Sequence, residues 1–246
     1  MKHIAFAAAI AMVAGAASAD VYNDASGRAI APGVGGDMHP FFDDQGFSHL
    51  DISSVEITND SQWLYIRVDL VGDIDATNWG KYAIGIDTGN SVGDNSNGWG
   101  RNIDWGRNIN FWSATWADDN GSGFGGEFYG YDDGGGAWGL IDATYAASTD
   151  IAGDDSTHGA AQSWRLSLSA LGIGIGDTIE FDVVSTGGGA DPGVDHLSRS
   201  GAGDFATTEW GVTSTAGTFL SYTLVPTPGA IAVLGLGGLA TGRRRR

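Results

Sequence analysis

The sequence predicts an all-β protein: a single antiparallel β-sandwich whose loops are long and rich in Gly, Asp and Asn. Three observations carry this. Of the 30 acidic residues 26 are Asp and four are Glu, and Lys occurs twice, so the straight-chain helix formers are nearly absent. The 41 Gly belong with Asp, Asn and Ser in turns, while the Trp, Tyr, Val, Ile and Thr between them belong in strands. The 9 Trp, 7 Tyr and 10 Phe supply ample apolar surface for a core, which sets disorder aside.

Taken in chain order, residues 1–19 carry Lys2, an apolar run over 4–14 and the small-residue pattern Ala17-Ser18-Ala19. This is the grammar of a secretory signal cut by signal peptidase between Ala19 and Asp20. A membrane anchor is the alternative, and the run is shorter than the ~20 residues a span requires. The body of the chain then covers residues 20–224, about 205 residues, a size that suits one domain.

Residues 62–70 (QWLYIRVDL) alternate, with Leu64, Ile66, Val68 and Leu70 on one face and Trp63, Tyr65, Arg67 and Asp69 on the other. That is a half-buried strand. Asn59-Asp60-Ser61 turns the chain back on a strand at 53–58, so the two pair as a hairpin. Further strands are predicted at 79–87, 108–116, 125–131, 137–143, 163–169, 178–185 and 218–224. Nine strands with turn-rich joints give a sandwich, jelly-roll-like in outline. Only 169–171 suggests a helical turn, because the segment after it is too rich in Gly for a helix interior.

The insert over 87–104 (DTGNSVGDNSNGWGRNID) gathers hard oxygen ligands, with Asp87, Asp94 and Asp104 as candidate calcium ligands and Asn90, Asn95 and Asn97 beside them. Asp and Asn are equally the ordinary residues of turns, and no EF-hand spacing is present. Trp99 and Trp105 flank the loop and Trp112 follows. These three are the candidate sugar-stacking rings, since an indole face fits the C–H face of a sugar; core packing is their alternative.

Without residues 1–19 and the terminal arginines, seven basic residues face 30 acidic ones, a net charge of −23. Such a surface repels nucleic acid and favours cations and neutral polymers. The absence of Cys removes disulfides and thiolate chemistry. No G-x-S-x-G, H-E-x-x-H or phosphate-binding loop is found, so no catalytic residue is assigned. Among His39, His49, His158 and His196, the last is the best candidate for a special role.

The C-terminal segment 225–246 has three ordered parts: the motif Val225-Pro226-Thr227-Pro228-Gly229, an apolar Gly-rich run over 230–240, and Arg243, Arg244, Arg245 and Arg246. Four arginines halt export by the positive-inside rule. This tail resembles a PEP-CTERM sorting signal, with Pro226-Thr227-Pro228 in place of the family's Pro-Glu-Pro. The resemblance implies a short hydrophobic sorting helix, recognition by an exosortase, which is a membrane transpeptidase, and release from the inner membrane to the cell surface or exterior. A simple tail anchor is the alternative.

The segments SVEITNDSQWLYIRVDL (54–70), YAIGIDTG (82–89) and WRLSLSALGIGIGDTIEFDVVS (164–185), split by a long polar insert, resemble the β-sandwiches related to family 9 carbohydrate-binding modules and DOMON-like domains. That resemblance implies a sandwich fold, sugar held between aromatic rings, and calcium in acidic loops. The haem seen in some relatives would need a suitable Met and His pair, whereas Met38 and His39 are neighbours in the chain. The expected function is a Sec-exported, non-enzymatic envelope or matrix protein that contacts polysaccharide. A secreted hydrolase of matrix polysaccharide is the rival.

Overall fold

A computed structural model describes residues 19–31, 34–74, 79–90, 92–117, 124–132, 134–145, 147–153 and 159–226. Ala17, His158, Thr227, Pro228, Gly229, the run 230–240 with its expected helix, and the four terminal arginines lie outside the described residues.

Among these residues the protein is all-β, with 16 strands and two one-turn helices. In order they are β1 (Asp20–Asn23), β2 (Ala29–Ala31), β3 (Val34–Gly35), α1 (Pro40–Asp43), β4 (Ile52–Asn59), β5 (Trp63–Leu70), β6 (Lys81–Asp87), β7 (Ile103–Asp104), β8 (Phe111–Ala117), β9 (Phe124–Asp132), β10 (Ala137–Ala143), β11 (Ile151–Gly153), β12 (Ala161–Ser167), α2 (Leu168–Leu171), β13 (Thr178–Thr186), β14 (Gly193–His196), β15 (Ser214–Thr215) and β16 (Leu220–Thr223). One antiparallel sheet runs β1-β4-β5-β12-β11. The other runs β10-β9-β8-β6-β13, and the far side of β13 is shared by β16 at its start and β14 at its end.

The alternation of 62–70 does what it predicts. Leu64, Ile66, Val68 and Leu70 are buried and Trp63, Tyr65, Arg67 and Asp69 half-buried. Asp60 Oδ1 accepts the Gln62 and Trp63 N–H groups at 2.7 and 2.8 Å, which shapes the hairpin turn between β4 and β5. Those apolar residues meet Tyr82, Ile84 and Ile86 of β6 and Ile179, Phe181 and Val183 of β13 in one core shared by both sheets, a sandwich-like arrangement. Burial of this shared face is the main stabilising term.

The strand expected at 163–169 ends earlier, because Ser167 caps α2 by accepting the Ala170 N–H and Gly172 closes it at φ 67°. The 87–104 insert, expected as a polar loop, covers the outer face of the second sheet. Ile103, Trp105 and Ile109 pack there with Ala83, Trp112, Ala114, Val184 and Phe219 in a second core. Gly85 makes room, since a Cβ at that position would lie 3.0 Å from the Trp105 ring. Residues 24–50, where the sequence predicts no element, hold the β2–β3 pair, α1 and a 3-10 turn (Ser48–Leu50), around a third cluster of Met38, Phe42, Leu50 and Val194.

Candidate functional site

Four carboxylates from four separate segments converge at the boundary between the N-terminal segment and β14. Asp24 follows β1, Asp37 follows β3, Asp51 precedes β4 and Asp195 lies in β14. Asp24, Asp37 and Asp195 each place a carboxylate oxygen within 4.8 Å of the others. Asp37 and Asp195 are 3% exposed and Asp51 is 1% exposed, while Asp24 is half-buried. Backbone donors hold one oxygen of three of them: Ala25 N–H to Asp24 Oδ1 at 2.9 Å, Gly27 N–H to Asp51 Oδ2 at 2.8 Å and Ile52 N–H to Asp195 Oδ2 at 2.7 Å. Both oxygens of Asp37, Oδ2 of Asp24 and Oδ1 of Asp51 are buried with no hydrogen-bond partner.

Burial pushes every member of this group upward in pKa, and the neighbouring carboxylates add to it at Asp24, Asp51 and Asp195. Asp51 reaches about 7, from burial first and then the charges of Asp37 and Asp43. Asp24 and Asp195 rise well above the usual carboxylate range, and burial raises Asp37 to about 6 although the Asp24 carboxyl beside it acts in the opposite direction. A concentration of negative charge this dry is uncomfortable without a positive partner.

The carboxylates expected to hold calcium are placed differently. Asp87 ion-pairs with Arg107 and accepts the Gly89 N–H at 2.8 Å. Asp94 accepts the Ser96 N–H, and Asp104 accepts from Gly106 N–H and Asn95 Nδ2. Asn97 closes its own turn on the backbone of Arg101. These are turn-forming roles, and the three Asp do not converge on one another as the buried group does.

The aromatic candidates also separate. Trp105 and Trp112 are 0% exposed, so neither has a ring face to offer a sugar; the insert folding onto the sheet put them there. Trp99 stays half-buried, with its Nε1–H donated to Glu127 and the Arg101 guanidinium 4.8 Å over its ring. Glu127 also accepts the hydroxyls of Tyr129 and exposed Tyr145 at 2.8 and 2.7 Å. A separate cleft of about 350 Å³ lies on the outer face of the first sheet, lined by Glu56, Tyr65, Arg67, Ser163 and Arg165, with Arg165 stacked 4.5 Å over Trp63.

His196 has an arrangement the sequence did not reveal. Its Nδ1 meets Asp182 Oδ2 at 2.6 Å, its Nε2 meets Ser214 Oγ at 3.1 Å, and Ser214 Oγ accepts the Gly193 N–H at 2.9 Å. With Nδ1–H donating to the carboxylate, Nε2 accepts the serine proton, the hydrogen-bond order of a serine nucleophile and its base. All three residues are 0% exposed. The array ties β13, β14 and β15 together inside the fold, and substrate has no route to Ser214 in this conformation.

No family model matches the chain, and a search of curated proteins finds no match. Among the described residues, no helix is long and apolar enough to cross a membrane.

Proposed function

We propose that this chain is an exported, non-enzymatic β-sandwich protein of the cell envelope or extracellular matrix, sorted through a PEP-CTERM-like tail. On this reading residues 20–224 form a single sandwich, which the shared core of the two sheets supports. The observation that carries the reading is the state of the chain at the two margins of the described body. Asn59 clamps Val225 with two 3.0 Å hydrogen bonds, and Pro226, the first residue of the Pro226-Thr227-Pro228 motif, is exposed immediately beyond. Asp20, the expected mature N-terminus, is exposed in edge strand β1. The first residue expected after signal cleavage and the first residue of the motif are therefore both open to solvent.

Polysaccharide contact falls to the surfaces still open to it, Trp99 with Tyr145 and the cleft beside Tyr65 and Arg165. The hydrolase reading is favoured by the Asp182–His196–Ser214 order and opposed by its burial.

Mass spectrometry of native protein tests the sorting claim. The expected species begins at Asp20 and lacks Arg243, Arg244, Arg245 and Arg246. Intact protein carrying the arginines in the outer envelope would overturn it. Replacing Pro226 and Pro228 with Ala should strand the protein in the inner membrane. Affinity electrophoresis on soluble polysaccharides tests the ligand: retardation weakened by Trp99→Ala or Tyr65→Ala supports it, and sugar release abolished by Ser214→Ala would install the hydrolase instead.

A further inference from the structure

We propose that Asp24, Asp37 and Asp195 form a binding site for one hard divalent cation, calcium above all, which fastens the N-terminal segment of the body to β14 of the second sheet. The inference stands on the buried geometry and does not depend on how the protein is exported.

The donor set selects the kind of ion. Three carboxylates and no nitrogen or sulfur select a hard cation over zinc or copper. Calcium takes oxygens at about 2.3–2.6 Å, so two oxygens on one ion lie at most about 5 Å apart, and the observed spread of 4.8 Å falls inside that sphere. Magnesium, at about 2.0–2.1 Å in a strict octahedron, asks for a tighter and more regular set.

Buried oxygens without a donor point to a ligand independently of the clustering. Asp37 is buried and both its oxygens lack a donor, as does Asp24 Oδ2. A proton on Asp24 could be donated to one Asp37 oxygen, and the second Asp37 oxygen would still lack a donor, so protonation repairs the group only in part. No basic side chain supplies the missing donor among the described residues. Arg28, the nearest in sequence to Asp24, is paired with Asp43 and Asp44. Asp24 Oδ1 and Asp195 Oδ2, in contrast, are held by the Ala25 and Ile52 N–H groups, so those two carboxylates are already oriented. Asp51 adds negative potential from beside the site while holding the backbone at Gly27.

The consequence is mechanical. Asp24 and Asp37 bracket the β2–β3 pair, whose strands are three and two residues long, and Asp195 lies in a strand of the main sheet. An ion bridging them closes residues 24–37 against the sheet more firmly than those short strands do alone.

The test uses protein purified from its own export route, stripped with EDTA and desalted. Native mass spectrometry after calcium addition should count one tightly held ion, and a count of zero overturns the site without any variant. In thermal melts, calcium at a hundredfold excess over its dissociation constant should raise the Tm by about 5–10 °C. Asp37→Asn should abolish both the ion and the shift, while melting without calcium at or above the stripped wild type, because it removes one of the repelling charges. Asp94→Asn should keep the full response. The site is overturned if Asp37→Asn and Asp195→Asn respond to calcium like the wild type, if Asp94→Asn loses the response instead, or if sodium chloride at matched ionic strength reproduces the shift.

Discussion

A single carboxylate organises the turn after β10, and its pH behaviour follows from its donors. Asp142 Oδ2 accepts the Asp150 and Thr149 N–H groups at 2.6 and 2.8 Å and the Ser148 hydroxyl at 2.8 Å, and Oδ1 accepts the Ala143 N–H at 2.8 Å. Burial pushes the Asp142 pKa up, and these four donors outweigh it and hold the group below its usual value. The folded state therefore binds its proton less readily than the unfolded chain. The stability it contributes is fully present above the unfolded value near 3.8 and is lost as the pH falls through the lower folded value. Asp142→Ala should cost about 1–3 kcal/mol at pH 7, since several donors lose their acceptor. Urea unfolding of both proteins at pH 7 and at pH 3 checks this: the gap should narrow at the lower pH, and a gap independent of pH would show that the charge of Asp142 contributes nothing.

Helix α2 shows how one residue ends an element. Gly172 sits at φ 67° with nothing within 4 Å of where a Cβ would be, so its cost on substitution is conformational alone. Gly174, two residues on, has equal space and no left-handed φ. Gly172→Ala should lower stability by about 1 kcal/mol and Gly174→Ala should leave it unchanged or slightly raised. Equal effects in chemical denaturation would mean that space rather than backbone angle decides. The same turn was legible in outline from its Gly-rich sequence, and so were nine strands, because alternation such as that of residues 62–70 reports directly which face is buried. The short elements β1, β2, β3, β7, β11, β14 and β15 were not legible, since four or fewer residues carry too little pattern. The burial of Trp105 and Trp112 was hidden for a related reason: composition makes the insert look like a polar loop, and only the tertiary fold lays it on the sheet. The buried carboxylates were hidden among 26 Asp, with no spacing signature because four distant segments supply them. A usable signal existed at two of them, Leu50-Asp51-Ile52 and Val194-Asp195-His196, where an acid stands between residues that a core demands.

At the scale of the whole molecule, the dominant fact is charge. The body from Asp20 onward, without the terminal arginines, carries seven basic residues against 30 acidic ones. Arg28, Arg67, Arg107 and Arg199 each hold one or two of those acids in half-exposed pairs, which leaves most of the negative charge facing its own kind. Pairs of that sort contribute little each, and salt screens a pair in contact less than charges farther apart than the Debye length. Repulsion summed over the body acts at longer range. At about 0.01 M salt the Debye length is about 30 Å, comparable with the whole domain, and at about 0.1 M it falls to about 10 Å. Raising sodium chloride across that interval should therefore stabilise the EDTA-treated protein, by relieving distant repulsion while the local pairs persist. The rise in Tm should be a few degrees, should flatten above about 0.5 M as the Debye length drops below the spacing of neighbouring charges, and should be nearly the same in Asp37→Asn, which changes one charge of many. This separates the diffuse effect from the stoichiometric one, since a bound ion saturates at one equivalent and disappears with its ligand. A Tm that falls as salt is added would mean that the few arginine pairs outweigh the net repulsion, and the acidity would then have to be read as locally compensated.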